Sequence, residues 1–431
     1  MTQQHYQKIR HRIGSILRSN SVLIVFSAKE HIRNNDVYYK YRQSSNFYYL
    51  TGINDSNLVL IIEKVANKQR TILLCPRPTK NDTIWTGSLL SKGSYKRNNN
   101  FDDVYYYDEL HKLHLAQLQN LYYEFDDDNR VTELLDEIMS IENNRYNKTG
   151  KVFSDRVDIS AHLHEMRCVK NSFEIKQIKT AAKVSAKAHI DLMKNCKSSQ
   201  YEYEIHANFI NLCMKNECEQ AYPAIVASGK NSLTLHYTKN TSRLKGGDLL
   251  LVDAAAEYNN YASDITRTIP ISGKFTNAQK SVYEVVLNAQ QHAINSCKTG
   301  KSIQDVHKVA VKYISMGLIK LGLLKGSLES VIKQESYKRF YMHNTGHWLG
   351  LDVHDPSPYL FNNKPVKFKP GMIFTVEPGL YIDNSKDVDV KYRNIGIRIE
   401  DDILITKNGP EILTESVPKS PSDIERLMTD G

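Results

Sequence analysis

Two aspartates sit where the sequence is otherwise apolar and β-forming. Asp253 closes the run Leu249-Leu250-Leu251-Val252, and Asp264 lies on the returning segment eleven positions later. Aspartate is depleted in strands and rarely buried without a partner, so each carboxylate needs hydrogen bonds or a cation. Asn259-Asn260 tolerates positive φ and fits a two-residue turn. Asp264 then faces Ala255 and is a diagonal neighbour of Asp253 on one side of the sheet. Like charges so placed repel unless something positive lies between them, and a divalent metal supplies it. The bland alternative is a pair of solvated aspartates beside a turn, and a bulge would put one of them on the opposite face.

Further candidates gather downstream. FYMHNTGHWLGLDVHD carries His343, His347 and His354 beside Gly346 and Gly350, which allow close backbone approach. The gap from His343 to His347 matches a helical zinc motif, but Asn344 replaces its glutamate and Gly346 weakens a helix, so that motif is excluded. Glu377 ends the apolar run in IFTVEPG, and Glu400 lies in IGIRIED. Arg398, two residues before Glu400, shares its face of a strand and can orient an acid or a carbonyl. Singly each acid reads as a surface strand end; four of them, all preceded by strand residues, do not. Carboxylate-rich ligation with one imidazole suits hard or borderline ions, favouring manganese, with cobalt or zinc as alternatives. Four acids can hold two ions, which activate water and polarise a carbonyl, so hydrolysis is the expected reaction class.

The elements that must position these residues fall into two sets. A chain of 431 residues can bury two cores. We expect an α/β N-terminal domain over 1–155 and an α+β C-terminal domain over 156–431. The first should open with a helix through Ile9, Ile13 and Ile16 and run into a strand at 22–26. Strands at 58–62, 71–74, 104–107 and 121–125 follow, with helices over 109–118 and 132–141. The segment 33–53 reads as irregular, ending in a turn at Gly52, and 143–155 as a linker. Beyond it, Ser172 and Ser199 should cap helices reaching about 196 and 216, and Thr276 and Ser302 two more. Strands are expected at 224–227, 372–376 and 395–405.

Composition narrows the class. Hydrophobic content of 41% and charged content of 24% are those of a globular protein, neither disordered nor membrane-embedded. The net charge of +9 is scattered rather than blocked, so no nucleic-acid partner is expected. No apolar run reaches membrane-spanning length, and MTQQHYQKIRHRIG lacks the apolar core of a secretory signal, so a cytoplasmic protein is expected. The six cysteines show no CxxC spacing and read as reduced thiols, which excludes a zinc ribbon.

The ordered set Asp253, Asp264, His347, Glu377 and Glu400 resembles that of the pita-bread metallopeptidases. The strings LHYT, DITRT, HWLGLDVHD, TVEPGLYI and GIRIEDD resemble their aminopeptidase P group, as does the N-terminal RNNDVYYKYRQSSNFYYLTGI. The resemblance implies a pita-bread C-terminal domain with two divalent metal ions. Asp253 and Asp264 would hold one, and Asp264, His347, Glu377 and Glu400 the other, with Asp264 and Glu400 bridging. It implies removal of the first residue from peptides whose second residue is proline. His236, His343 and His354 would surround the peptide and the developing oxyanion, Glu377 would handle the proton, and Arg398 would support the shell. Tyr222 would contact the water, and Asp36, from the N-terminal domain, would meet the peptide's amino group. Homotetramers or dimers are implied too. HNTGH and Pro223 depart from the group's pattern, which bears on substrate preference. The competing expectations are a prolidase restricted to dipeptides, a metal-free creatinase-like hydrolase, and a non-catalytic binding module.

Overall fold

The structure, a computed structural model, describes residues 2–85, 87, 90–113, 115, 118–143 and 155–429. These form two compact units, 1–166 and 167–431. The first is built on a mixed six-stranded sheet in the order Asp103–Tyr106, Lys68–Cys75, Val59–Val65, Ser21–Phe26, Asn120–Tyr123, Asp155–Asp158. Alternate residues of these strands, such as Val22, Ile24, Ile61 and Ile72, bury one face against the helix Asp128–Asn143 through Leu134, Leu135 and Ile138. The unit runs past 155 because Asp155–Asp158 pairs in parallel with Asn120–Tyr123 and completes the sheet. Of the expected linker, residues 144–154 lie outside the described residues.

Two local expectations change. The segment 33–53 is ordered, not irregular: Ile32–Asn34 and Val37–Tyr38 pair as a hairpin with Asp36 exposed in its turn. A short helix, Ser45–Thr51, follows, capped by Ser44 and ended by Gly52 at φ 68°. The helix expected over 109–118 is a 3₁₀ stretch, Tyr107–Lys112, that stops at extended Leu113. The apolar residues beyond it (Leu113, Leu115 and Leu118) enter the core from outside any helix, with Leu118 N–H turned back on Leu115 O at 3.0 Å.

The second unit packs the helices Ser172–Asn195, Glu202–Lys215, Asn277–Asn295 and Ile303–Lys320 against short antiparallel sheets. Asn171, not Ser172, caps the first helix. Ser199 lies at φ 82° outside the second. Thr276 and Ser302 cap the others as expected. Among the described residues no helix is long and apolar enough to cross a membrane, and all six cysteines are buried free thiols.

Two hairpins of this unit share one peculiarity. Leu249–Asp253 pairs with Thr266–Pro270, and Ala256–Tyr258 pairs with Tyr261–Ala262 around Asn259 and Asn260, both at positive φ. The register is continuous across both pairs, but the strands are interrupted between them, where Asp253 and Asp264 lie. Likewise Ile373–Val376 pairs with Asp401–Thr406, and Gly379–Ile382 with Ile395–Arg398. Glu377 and Glu400 occupy that second interruption, so the single strand expected over 395–405 is two. The cause is visible in the hydrogen bonds: Glu400 N–H donates to Thr266 O of the other hairpin at 3.1 Å instead of to its own partner strand.

At the start of the long first helix, the buried Glu174 carboxylate accepts from Asn171 N at 3.1 Å, and burial pushes its pKa up to about 7. A folded value above the unfolded one stabilises the fold fully below about 4.5, and that contribution is lost as pH rises through about 7. Glu174→Gln keeps the acceptor without the proton. Its unfolding free energy relative to the parent, from denaturant titrations, should therefore rise by about 3 kcal/mol between pH 4 and pH 8. A pH-independent difference would refute the assignment.

Candidate metal centre

The two interrupted hairpins bring their acids to one cavity of about 350 Å³, lined among others by His236, Asp253, Asp264, His343, His347, His354, Glu377, Arg398 and Glu400. All of its lining residues belong to the second unit. Ligand atoms of Asp264, His347 and Glu400 lie within 4.8 Å of one another. His347 Nε2 stands 3.4 Å from Asp264 Oδ2 and 3.6 Å from Glu377 Oε1. Its Nδ1 lies 3.0 Å from Trp348 O. A carbonyl only accepts, so Nδ1 carries a proton and Nε2 is left to face the carboxylates, the orientation of a ligating histidine.

The electrostatics describe a site built around positive charge. Burial would lower the His347 imidazolium, yet its hydrogen bond to Asp264 and the charge of Glu377 lift it to about 9. Asp264 is pushed up by burial but held below the usual carboxylate range by His347. Burial raises Glu377 to about 7 against the pull of His347 and Arg398. Glu400 is raised well above the ordinary range by burial and by the charges of Asp264, Glu377 and Asp253. Asp253 is raised by burial, with Arg398 opposing. Carboxylates crowded so closely ionise together only if a cation joins them, and a divalent ion can take the place of these protons. The donor set fits a hard or borderline ion.

Around this cluster the polar groups are connected. Tyr222 donates its hydroxyl to Asp253 Oδ1 at 2.7 Å and Asp264 Oδ1 at 2.5 Å. Arg398 reaches Asp253 Oδ2 at 2.6 Å, Tyr381 OH at 3.0 Å and Thr266 Oγ1 at 3.1 Å. Thr266 in turn donates to Glu400 Oε2 at 2.6 Å. His343 Nδ1 lies 2.8 Å from Asn344 O and so bears hydrogen; burial first, then Arg398, keeps the ring neutral with a pKa near 4, so Nε2 accepts from Tyr381 OH at 2.9 Å. Both nitrogens of His343 are thus committed. His354 stands with its ring centroid 4.2 Å from that of His347, and burial together with the neighbouring charge lowers its pKa. His236 lines the cavity from the loop that follows Ser228.

Asp36 is exposed in the first unit and is not among the lining residues. Several residues of the site escaped the sequence reading. Tyr381 and Thr266 tie Arg398 to His343 and Glu400, although both lie inside strings quoted above. Glu202, fully buried, accepts from Ser228 N and Oγ, Asn231 Nδ2, Tyr237 OH and Ser242 N, all within 2.9 Å, and so pins the loop carrying His236. As an acid in a helix's first turn, it carried no signal of this in the sequence. Asp402, the last acid of GIRIEDD, accepts from Asp264 N at 3.2 Å and Ser263 Oγ at 2.8 Å.

Residues 176–407 match the model of metallopeptidase family M24. The chain belongs to this family. Residues 6–122 match the aminopeptidase P N-terminal domain, so the α/β first unit and the pita-bread second unit of the M24 fold are both present. The chain is 37% identical to the Xaa-Pro aminopeptidase of Haemophilus influenzae, over 99% of this chain and 98% of that one. It superposes on proline aminopeptidase P II from Yersinia pestis with a TM-score of 0.95 at 38% identity, covering 100% of both chains. Aminopeptidase P of E. coli, solved with the inhibitor Pro-Leu, gives a TM-score of 0.95 at 35% identity over 100% of this chain and 99% of that one. As an M24 metallopeptidase with this donor set, the protein takes divalent metal.

Proposed function

We propose that this M24 enzyme is an Xaa-Pro aminopeptidase, hydrolysing the first peptide bond of peptides whose second residue is proline. The observation that carries the reading is the convergence of Asp253, Asp264, His347, Glu377 and Glu400 on one cavity, in a chain similar over its whole length to Xaa-Pro aminopeptidases. The centre would be dinuclear and loaded with manganese: Asp253 and Asp264 would hold one ion, His347 and Glu377 the other, and Asp264 and Glu400 would be shared between them. When bound, such ions lower the pKa of water and polarise the carbonyl.

The chain's own groups do the rest. Glu377 takes the proton of the attacking water on a carboxylate oxygen and passes it toward the departing proline nitrogen. His236 and His354 donate to the carbonyl oxygen as charge develops. His343, engaged at both nitrogens, acts by orienting Tyr381. Arg398 and Tyr222 fix the outer oxygens of Asp253 and Asp264. An Xaa-Pro amide lacks the N–H that most peptidases bind and presents a ring that a shaped cavity can recognise. Asp36 meets the peptide's amino group, in a homotetramer or dimer, and the enzyme works in the cytoplasm.

Peptide assays with Mn²⁺ returned after chelation test the reading. Free arginine should be released from Arg-Pro-Pro, and cleavage should extend to longer Xaa-Pro peptides. Activity confined to the dipeptide Ala-Pro would mean a prolidase instead.

A further inference from the structure

We infer that His189, which lies outside the cavity on the helix Ser172–Asn195, is a positioning residue that sets the geometry of Asp253 and Asp264 and thereby the affinity for metal. The inference rests on reading the cavity as a metal centre. The hairpin carrying the two aspartates loses its ladder between Asp253 and Ala256, yet its backbone there is buried, so each polar group needs another partner. Ala254 N still reaches Ile265 O at 3.2 Å, and Ala256 O accepts from Ser263 N at 3.1 Å. Ala255 O accepts from Ala221 N at 2.9 Å. Ala254 O and Ala256 N turn toward the helix. His189 Nε2 lies 2.8 Å from Ala254 O, and Ser185 Oγ, one turn earlier on the same helical face, accepts from Ala256 N at 2.8 Å.

The histidine is an expensive way to fill this space. It is wholly buried, its ring edge-on to Phe209 at 5.7 Å, and its Nδ1 has no hydrogen-bond partner among the described residues. Burial keeps the ring neutral, with a pKa near 4, so Nε2 carries the hydrogen that Ala254 O accepts. A leucine would pack there without an orphaned nitrogen, so what the imidazole contributes is its donor. Losing that donor leaves Ala254 O unpaired and frees the 254–255 peptide to rotate, and Asp253 moves with it. Ser185 holds the other end of the same break.

The test is calorimetric titration of the chelator-stripped full chain with Mn²⁺, comparing the parent with His189→Leu, His189→Gln and Ser185→Ala. His189→Leu should bind Mn²⁺ about 10–100-fold more weakly, the usual cost of removing a group that orients a metal ligand. His189→Gln, whose amide N–H can still reach Ala254 O, should stay close to the parent. Ser185→Ala should fall between, and it carries the test alongside His189→Gln if the leucine variant does not fold. Parent-like affinity in His189→Leu or Ser185→Ala, even with lowered thermal stability, would overturn the inference and leave the metal centre standing. Equal weakening in His189→Gln and His189→Leu would overturn it too, by pointing to ring shape. Failure of the parent to bind Mn²⁺ would sink the metal reading itself.

Discussion

Chelation should lower the unfolding temperature of this protein by roughly 5–10 °C, and Asp264→Ala should remove that response. An ion bound only by the folded state stabilises it by about 2.7 kcal/mol at a hundredfold excess over its dissociation constant. In a unit of this size each kcal/mol is worth about 2–4 °C. Asp264 is the centre of the cluster: it lies against His347, Tyr222 bonds it, and its amide is held by Asp402. Its removal takes away the group proposed to join both ions. Scanning calorimetry with and without EDTA, and with Mn²⁺ returned, measures the effect. The same substitution should reduce release of arginine from Arg-Pro-Pro by at least about 10²–10³-fold, the loss seen when one preorganised electrostatic group is deleted. An Asp264→Ala variant still stabilised by Mn²⁺ would place the ion elsewhere.

The hairpin register was legible because its signals are local. Two asparagines able to adopt positive φ fixed the turn, and Tyr258 pairs with Tyr261 and Asp253 with Thr266 as that turn requires. That Asp253, Asp264, His347, Glu377 and Glu400 would meet at one cavity was legible because each is an acid or histidine set in or beside an apolar or glycine-rich context. What stayed hidden is long-range. The stretch IGIRIEDDILI from Ile395 to Ile405 reads as one strand with a charged middle and does not locate the break at Glu400, since Thr266, far away in sequence, supplies the carbonyl that draws the strand aside. Tyr381, Glu202 and His189 were missed for the same reason. A tyrosine in a strand, an acid in a first turn and a histidine in a helix are ordinary until the fold shows what they touch. Asp36 is the reverse case: the resemblance singled it out, and the cavity residues of the second unit do not include it.

Arg398→Ala should destabilise the metal-free protein by about 3–5 kcal/mol, because it leaves Asp253 buried without its cation. Arg398 is 4% exposed, and its guanidinium spans Asp253, Tyr381 and Thr266. Burial opposes its charge, but the surrounding Tyr381, Asp253 and Glu400 keep it firmly protonated. With Mn²⁺ present, the ion takes over part of the compensation of Asp253, so the stability loss should shrink, as denaturant titrations under both conditions will register. Activity should not recover in step. Tyr381 would lose the donor that orients it toward His343, and Thr266 would lose one of its two charged partners. Arg398→Lys separates charge from shape: a lysine keeps the cation but not the planar fork. It should retain most of the stability and still lose about a hundredfold in kcat, with a smaller change in KM. Arg398→Met with Asp253→Asn should regain metal-free stability while remaining inactive, since it removes the charge imbalance together with a proposed ligand. Equal stability losses with and without Mn²⁺ in Arg398→Ala would confine the arginine to packing and separate it from the ion.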